Sequence, residues 1–416
     1  MKILHISTTD GPGGAGLAAL RLHQSLLDQG IESKMLVANS TTNIDSIFVA
    51  EVSTINKYNP PKNVFLRFLR VALRKLGIGI PQLERDKNTI KKLQHQYPAY
   101  FTFSMSSYEV ETHPLIEWAD IIHLHWIQNF VNFDTFFKAV QKPIVWTFHD
   151  LNPMFGGFHH FRLRDRYYCH YKEIENRQYV IKKSSLKDNP FLHIVAISSQ
   201  MEDMISRNEI YKDKEISKIH NSVDYRQFQI IGKETARSNL GITLEKKVFL
   251  FISRWINDSE KGLLEAIRAM EKLNDGNNLL LCVGEGSINY DSTLEILHFD
   301  ATNDISLLSK YYSASDFLLF TSFQEAFSLT PLESMCCGTP VIMTPVSGAS
   351  DLINDNNGAI SEDFSVDSIV DAIKRAVNTE YESLEIRNYV MSRFSPEIIA
   401  SKYVDLYNSI IGQERL

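Results

Sequence analysis

Short apolar runs rich in β-branched residues alternate along this chain with stretches in which apolar residues recur every three or four positions. The first half carries the runs KILHIS, KMLVA, ADIIHLH, KPIVWTF and LHIVAIS, and the second KKVFLFIS, NLLLCVG, LEILHF, DFLLFTS and PVIMTP. That rhythm predicts strands of a parallel sheet joined by covering helices, repeated as two doubly wound sheets in tandem. The join is expected near IHNSVDYRQF, residues 219–228. Ligands of such sheets bind beyond the carboxyl ends of the strands, so the informative residues should follow the runs. His149 and Asp150 do so in the first half, and Arg254, Gly284 and Glu325 in the second.

With 416 residues the chain is too long for one ordinary core and suits two domains. Its 44% hydrophobic and 22% charged residues are those of a globular protein. Its 43 basic and 50 acidic residues leave a net charge of -7, which gives no general affinity for nucleic acid. Cys169, Cys282, Cys336 and Cys337 form no CxxC or Cys/His spacing that would hold zinc, and they suit a reducing cytosol. KILHIS is not preceded by a leader, and no 18 apolar residues run together, so a cytoplasmic chain that does not span a membrane is expected.

The segment from about 57 to 92 stands apart, because Lys57, Lys62, Arg67, Arg70, Arg74, Lys75, Arg85, Lys87, Lys91 and Lys92 face only Glu84 and Asp86. Val64, Phe68, Val71 and Leu76 share one side of its middle. Two readings stay open: a basic amphipathic helix in peripheral contact with an anionic membrane, or a solvated helix that covers a sheet.

DGPGGAG, residues 10–16, fits the glycine spacing of a dinucleotide-binding loop, and the helical pattern of Ala15, Ala19, Leu22 and Leu26 follows it. A dinucleotide enzyme also needs a carboxylate after the next strand to hold ribose hydroxyls. Here that strand ends in Ala38, Asn39 and Ser40, which argues against a nicotinamide cofactor. The loop keeps two readings, a phosphate or sugar subsite at a helix start and a plain tight turn.

The stronger signal lies in FTSFQEAFSLTPLESMCCGTPVI. A strand ends at Thr321, Glu325 sits in the loop, and a helix expected from about Thr330 carries Glu333 until Gly338 stops it. Upstream, Arg254 ends a strand and Lys261 precedes another helix. Cations facing a helix N-terminus suit a departing diphosphate, whose growing charge must be stabilised without proton transfer.

Taken together, DGPGGAG, TFHD, AISS, NSVD, EKG, VGEG, YYSASDFLLFTS, the Glu pair with GTPVI, and FSPEIIASKYVDLY resemble the retaining glycosyltransferases of family 4, the glycogen-synthase-like group. The resemblance covers nearly the whole chain. It implies the GT-B fold: two Rossmann-like doubly wound α/β domains facing a central cleft. Residues 1–220 would form the acceptor-side domain and 221–395 the nucleotide-sugar domain, with a helix at about 396–416 packing back on the first.

The resemblance also assigns roles. Glu325 would contact donor-sugar hydroxyls, Glu333 would hold the nucleotide ribose, and Arg254 and Lys261 would clamp the diphosphate. Phe327, Ser328 and Leu329 would supply backbone contacts to phosphate, with Gly284 at the same donor site. His149 would hydrogen-bond the sugar near the reacting carbon, and Gly13 and Gly14 would approach from the opposite wall. Three departures stand out: EAFS replaces Glu-Gly-Phe-Gly, Arg254 and Lys261 are spaced further apart than usual, and NSVD replaces Asn-Gly-Val-Asp.

The implied reaction is retaining hexosyl transfer from a UDP- or GDP-sugar to a hydroxyl of a saccharide or lipid-linked saccharide. Assembly of surface polysaccharide or glycoconjugate at the inner membrane face is the setting the family suggests. No Asp-x-Asp triplet occurs, which argues against a metal-held diphosphate, and no cofactor is expected. His123, His125, His149, His159, His160 and His170 lack the carboxylate support expected of a metal site. The loop of residues 151–171, aromatic and basic, is expected to recognise the acceptor. A nucleotide-sugar epimerase of the same architecture and a catalytically silent binding subunit remain as alternatives.

Overall fold

A computed structural model describes residues 1–11, 13–52, 81–273 and 276–414. The first sheet has seven strands: β1 (Lys2–Thr9), β2 (Glu32–Asn39), β3 (Ile47–Val49), β4 (Ile121–Leu124), β5 (Ile144–Phe148), β6 (Leu192–Ala196) and β7 (Glu215–Lys218). They lie in the order β3-β2-β1-β4-β5-β6-β7. The second has six: β8 (Lys247–Trp255), β9 (Asn278–Glu285), β10 (Glu295–Phe299), β11 (Phe317–Phe320), β12 (Val341–Met343) and β13 (Gly358–Ile360), in the order β10-β9-β8-β11-β12-β13. Every adjacent pair of the second sheet is parallel. So are the β1/β2, β1/β4, β2/β3 and β4/β5 pairs of the first.

All ten apolar runs are strands, and the near-continuous burial of the central ones is what helices on both faces require, while the edge strand Glu295–Phe299 is only partly covered. In each sheet the order reverses once, between β1 and β4 and again between β8 and β11. Those two switch points are where the loops diverge and leave room for a ligand.

The chain divides into two compact units. The first comprises residues 1–23, 30–195 and 205–216, and the second comprises 24–29, 196–204 and 217–416. The final helix, Pro396–Glu414, is grouped with the second unit, where Gln29 donates a hydrogen bond from Nε2 to the Glu397 carbonyl. The core of the second sheet gathers Phe249, Leu280, Phe317 and Ile342 beneath the helices Leu263–Leu273 and Val366–Val377.

Of the basic segment, residues 57–80 lie outside the described residues. Its end opens the helix Gln82–Gln96, which buries Asp86 and Ile90. Arg177 holds Asp86 with two hydrogen bonds, of 2.7 and 3.2 Å, so this portion is a helix anchored to its own unit. Among the described residues no helix is long and apolar enough to cross a membrane.

Candidate functional site

At the switch point of the second sheet, the two flanking strands each send out a loop, the first carrying Lys261 with Asp258 and Glu260 and the second carrying Glu325. After β8, Lys261 closes a short 3-10 turn, Ser259–Lys261, and Gly262 then takes the left-handed conformation (φ 74°) before the helix Leu263–Leu273. A Cβ on Gly262 would stand 2.1 Å from the Thr321 carbonyl oxygen, so only glycine admits this approach. Thr321 Oγ1 donates to the Gly262 carbonyl at 2.8 Å, and Phe323 N donates to the Glu260 carbonyl at 2.8 Å. The loop after β11 is thereby stitched to the loop after β8.

That stitching brings Lys261 Nζ to 2.7 Å from Glu325 Oε1. Burial alone would lower the Lys261 pKa, but the Glu325 carboxylate, helped by Asp258 and Glu260, raises it, so the ammonium stays charged. Just beyond, Ser328 caps the helix Leu329–Cys336 in an extended conformation, and its hydroxyl makes no capping bond. The first amides of this helix are therefore left without that partner, beside a paired cation, which is an arrangement suited to an anion. Glu333 lies in the second turn and accepts a hydrogen bond from the Tyr312 hydroxyl at 3.1 Å.

The first sheet builds a site of a different kind. The glycine loop after β1 is clasped by its own Asp10, whose carboxylate accepts from Ser40 Oγ, Thr41 N, Thr41 Oγ1 and Thr42 Oγ1 at 2.5 to 3.1 Å. Burial pushes the Asp10 pKa up, yet these bonds hold it below its usual value. A Cβ on Gly13 (φ 111°) or on Gly14 would meet nothing within 4 Å, so the loop presents bare backbone at the start of the helix Gly14–Asp28.

Beside it, His149 follows β5, and His149 Nε2 lies 3.1 Å from His125 Nδ1. His125 Nε2 lies in turn 2.9 Å from His5 Nδ1. Burial lowers all three pKa values, that of His149 to about 4, so the rings are neutral. Asp150, next in the chain, is fully engaged: Trp126 Nε1, His159 Nδ1 and Asn152 N reach it at 2.9, 2.6 and 2.8 Å. Burial opposes its charge, but His159 and these donors bring its pKa down to about 2.

The sequence of the second half matches the family model for glycosyl transferases group 1 over residues 232–392. Residues 232–392 are a group 1 glycosyltransferase domain. An uncharacterized glycosyltransferase of Methanocaldococcus jannaschii is 23% identical over 80% of this chain and 87% of that protein. A capsular polysaccharide biosynthesis glycosyltransferase of Staphylococcus aureus is 23% identical over 53% of this chain and 62% of that protein. A glycogen synthase of Mycoplasma mobile is 28% identical over 46% of this chain, and the match spans less than half, 45%, of that protein.

Among solved structures, sucrose-phosphate synthase from Thermosynechococcus elongatus superposes with a TM-score of 0.63 at 17% identity, covering 99% of this chain and 100% of that one. An Anabaena protein, HepE, solved with UDP and glucose, also gives 0.63, at 15% identity over 98% of this chain and 100% of that one. The fold is GT-B.

Within the glycosyltransferase domain, Lys261 and Glu325 meet directly, and Phe327, Ser328 and Leu329 lead into the same helix start as Glu333. Arg254 is exposed, with its guanidinium over the Trp255 ring at 5.7 Å, and among the described residues it is not joined to the pair. Gly284 (φ 155°) has a structural reason of its own, since a Cβ there would stand 2.0 Å from the Ser253 carbonyl oxygen. The Phe327 ring turns inward and stacks on His220 at 5.0 Å, which leaves its backbone for any ligand.

The expected acceptor loop at residues 151–171 is corrected by the structure. From Phe161 onward it is the first part of a 26-residue helix, Phe161–Leu186. The preceding stretch is buried: the Glu175 carboxylate accepts from Gly156 N and Gly157 N at 2.9 and 2.7 Å. Lys182 Nζ donates to Asn152 O, Asn152 Oδ1 and Phe155 O at 2.6 to 2.9 Å. Glycines and aromatics there are packing partners for a buried Lys and Glu.

Sequence reasoning passed over His5 and His23. Each is a polar residue within an apolar pattern and each is fully buried. His5, His123 and His125 bring ring nitrogens within 4.8 Å of one another, a spacing that also suits a metal ion. His123 Nε2, however, already lies 2.8 Å from Thr147 Oγ1, and His5 and His125 bond each other.

Proposed function

We propose that the chain transfers a sugar from a nucleoside diphosphate sugar to an acceptor hydroxyl with retention at the anomeric carbon. One observation carries this reading: the Lys261–Glu325 pair at the second switch point, set before a helix start whose cap hydroxyl is unused. On binding, the diphosphate draws the Lys261 ammonium and the amides that follow Ser328, and Glu325 is released to accept from donor-sugar hydroxyls. Glu333 takes the ribose hydroxyls, and Arg254 serves as an outer cation. The positive charge that a metal would supply comes from Lys261, Arg254 and the helix start.

His149 meets the donor sugar as a neutral imidazole, and Gly13 and Gly14 give close backbone approach in the first domain, residues 1–220. Asp150, held by three donors, is not placed as a free carboxylate nucleophile, and the role proposed for Glu325 is to accept from sugar hydroxyls. That favours same-face displacement, in which the bond from the anomeric carbon to the phosphate oxygen breaks as the acceptor oxygen bonds on the same face. The departing phosphate then takes the acceptor proton. Structural neighbours solved with UDP and with UDP-glucose favour a uridine nucleotide, and relatives named for capsule and teichuronic acid synthesis favour a surface polysaccharide.

Thermal-shift screening of UDP-, GDP- and ADP-glucose tests the donor, because a ligand that binds only the native state raises the melting temperature. A shift with one nucleotide that disappears in Lys261→Ala supports the reading. Conversion of the donor to its epimer with no acceptor present would replace transferase by epimerase, and binding without turnover of any donor would leave a silent binding subunit.

A further inference from the structure

Tyr312 and Glu333 stand on the two helices that flank β11, Ile305–Ala314 before it and Leu329–Cys336 after it. Tyr312 is fully buried, with its ring edge-on to Phe228 at 6.3 Å. Its carbonyl accepts from Thr339 Oγ1 at 2.8 Å, and Ser334 Oγ donates to the Thr339 carbonyl at 3.1 Å. The turn that ends the Glu333 helix thus ties that helix to the one before β11. Tyr312 is held by ring and backbone together, and its hydroxyl reaches Glu333 Oε2 at 3.1 Å.

A buried tyrosine hydroxyl needs a partner, and a backbone carbonyl is enough. Tyr171 donates to the Tyr97 carbonyl at 2.7 Å, and Tyr211 to that of Pro153 at 2.9 Å. Tyr312 uses a carboxylate instead, on a side chain that is only half-buried and lies in the second turn of the helix capped by Ser328. An ionised carboxylate only accepts, so the phenol is the donor. Burial first, and then the Glu333 charge, raises the Tyr312 pKa well above its ordinary value, so the donor keeps its proton across the neutral range.

That bond limits where the Glu333 carboxylate points. A free glutamate spreads its oxygens over many rotamers, whereas two neighbouring ribose hydroxyls are met together only by a carboxylate held in one plane. We infer that Tyr312 is a positioning residue that holds the Glu333 carboxylate for the ribose hydroxyls, and that the pair thereby selects ribonucleotides over 2′-deoxyribonucleotides. A site built to take a hydroxyl rejects the analogue that lacks it, because its own polar group is then left short of a partner. The inference rests on the ribose role proposed above for Glu333.

Calorimetric titration of UDP, GDP and ADP into the full chain, each beside its 2′-deoxy counterpart, measures this selection without turnover. In wild type the nucleotide that binds should be favoured over its deoxy form about tenfold, and Glu333→Gln should bring that ratio near one. Tyr312→Phe keeps the ring and removes only the donor. It should weaken the ribonucleotide about threefold to fivefold and leave the deoxy form within about twofold, so that the ratio shrinks. A purely structural role would weaken both nucleotides alike. A folded Tyr312→Phe that keeps the wild-type ratio, or weakens both nucleotides equally, overturns the inference, while loss of the ratio in Glu333→Gln still upholds the ribose role of Glu333. A wild-type ratio near one, or no nucleotide bound, removes that role and the inference with it. Should Tyr312→Phe not fold, Glu333→Asp decides. Its carboxylate, one carbon shorter, cannot keep the bond to a fixed ring, and a ratio that survives there overturns the inference as well.

Discussion

The switch points of the two sheets face the same topological opportunity and fill it with opposite chemistry. In the second sheet a cation and a carboxylate, Lys261 and Glu325, meet at 2.7 Å before an open helix start. In the first, neutral histidines bond one another, and the carboxylates nearby, Asp10 and Asp150, are consumed by their own loops. A diphosphate needs net positive potential, and sugar hydroxyls need directed donors and acceptors without net charge. The contrast accords with the proposed function, in which Lys261 meets the diphosphate and His149 a sugar hydroxyl.

The largest expected effect comes from removing the charge at the second switch point. Lys261→Ala should lower kcat/KM for the preferred donor on the order of a hundredfold or more, the scale of losing one preorganised stabiliser of developing negative charge. A loss below about threefold in steady-state assays would break the contrast at its charged end.

Acid should find the neutral site first. The folded pKa values of His5, His23, His123, His125 and His149 all lie below the ordinary 6.5, those of His23 and His149 at about 4, because burial disfavours the cation. Between those values and 6.5 the unfolded chain binds more protons than the folded one. Stability present above about pH 6.5 is therefore lost as pH falls toward 4, by about 1.4 kcal/mol for each unit by which a pKa is depressed. Melting temperatures measured from pH 7 to 5 should drop, and His23→Gln should flatten that slope.

Glycines separate the two regions on a smaller scale. Gly262→Ala, with a Cβ 2.1 Å from a carbonyl oxygen and a positive φ, should cost on the order of 1–3 kcal/mol in denaturant melts. Gly14→Leu has open space and should leave stability and nucleotide binding nearly unchanged while lowering transfer about tenfold. Equal loss of binding and transfer in Gly14→Leu would show that the loop does not serve the sugar side. An effect of the same size belongs to Glu333→Gln, which should weaken nucleotide affinity about tenfold, the equivalent of about 1.4 kcal/mol, in calorimetric titration.

How much of this was legible in the sequence follows the physics of each element. Most of the ten strands announced themselves because a parallel strand covered on both faces is apolar throughout, and the partly exposed edge strand Glu295–Phe299 did so through its own apolar run. The edge strands Ile47–Val49, Glu215–Lys218 and Gly358–Ile360 did not, since they are short, only partly covered and lie in no extended apolar run. Lys261 and Glu325 were readable as charges in loops beyond strand ends, and Glu333 as a carboxylate in the helix that follows. The clasp of Asp10 by Ser40, Thr41 and Thr42 was not, because it joins residues some 30 apart through a register that only the β1/β2 pairing fixes. The buried Lys182 and Glu175 were equally hidden, as nothing local distinguishes them from the solvated charges of the same helix.

The contrast is tested most directly by calorimetric titration of UDP, with GDP and ADP in parallel, into wild type, Lys261→Ala and His149→Ala. The account predicts that the nucleotide bound by wild type loses at least tenfold in affinity in Lys261→Ala and stays within about twofold in His149→Ala, while both variants lose sugar transfer. Nucleotide affinity that falls in His149→Ala as far as in Lys261→Ala, or that survives in Lys261→Ala, would contradict it.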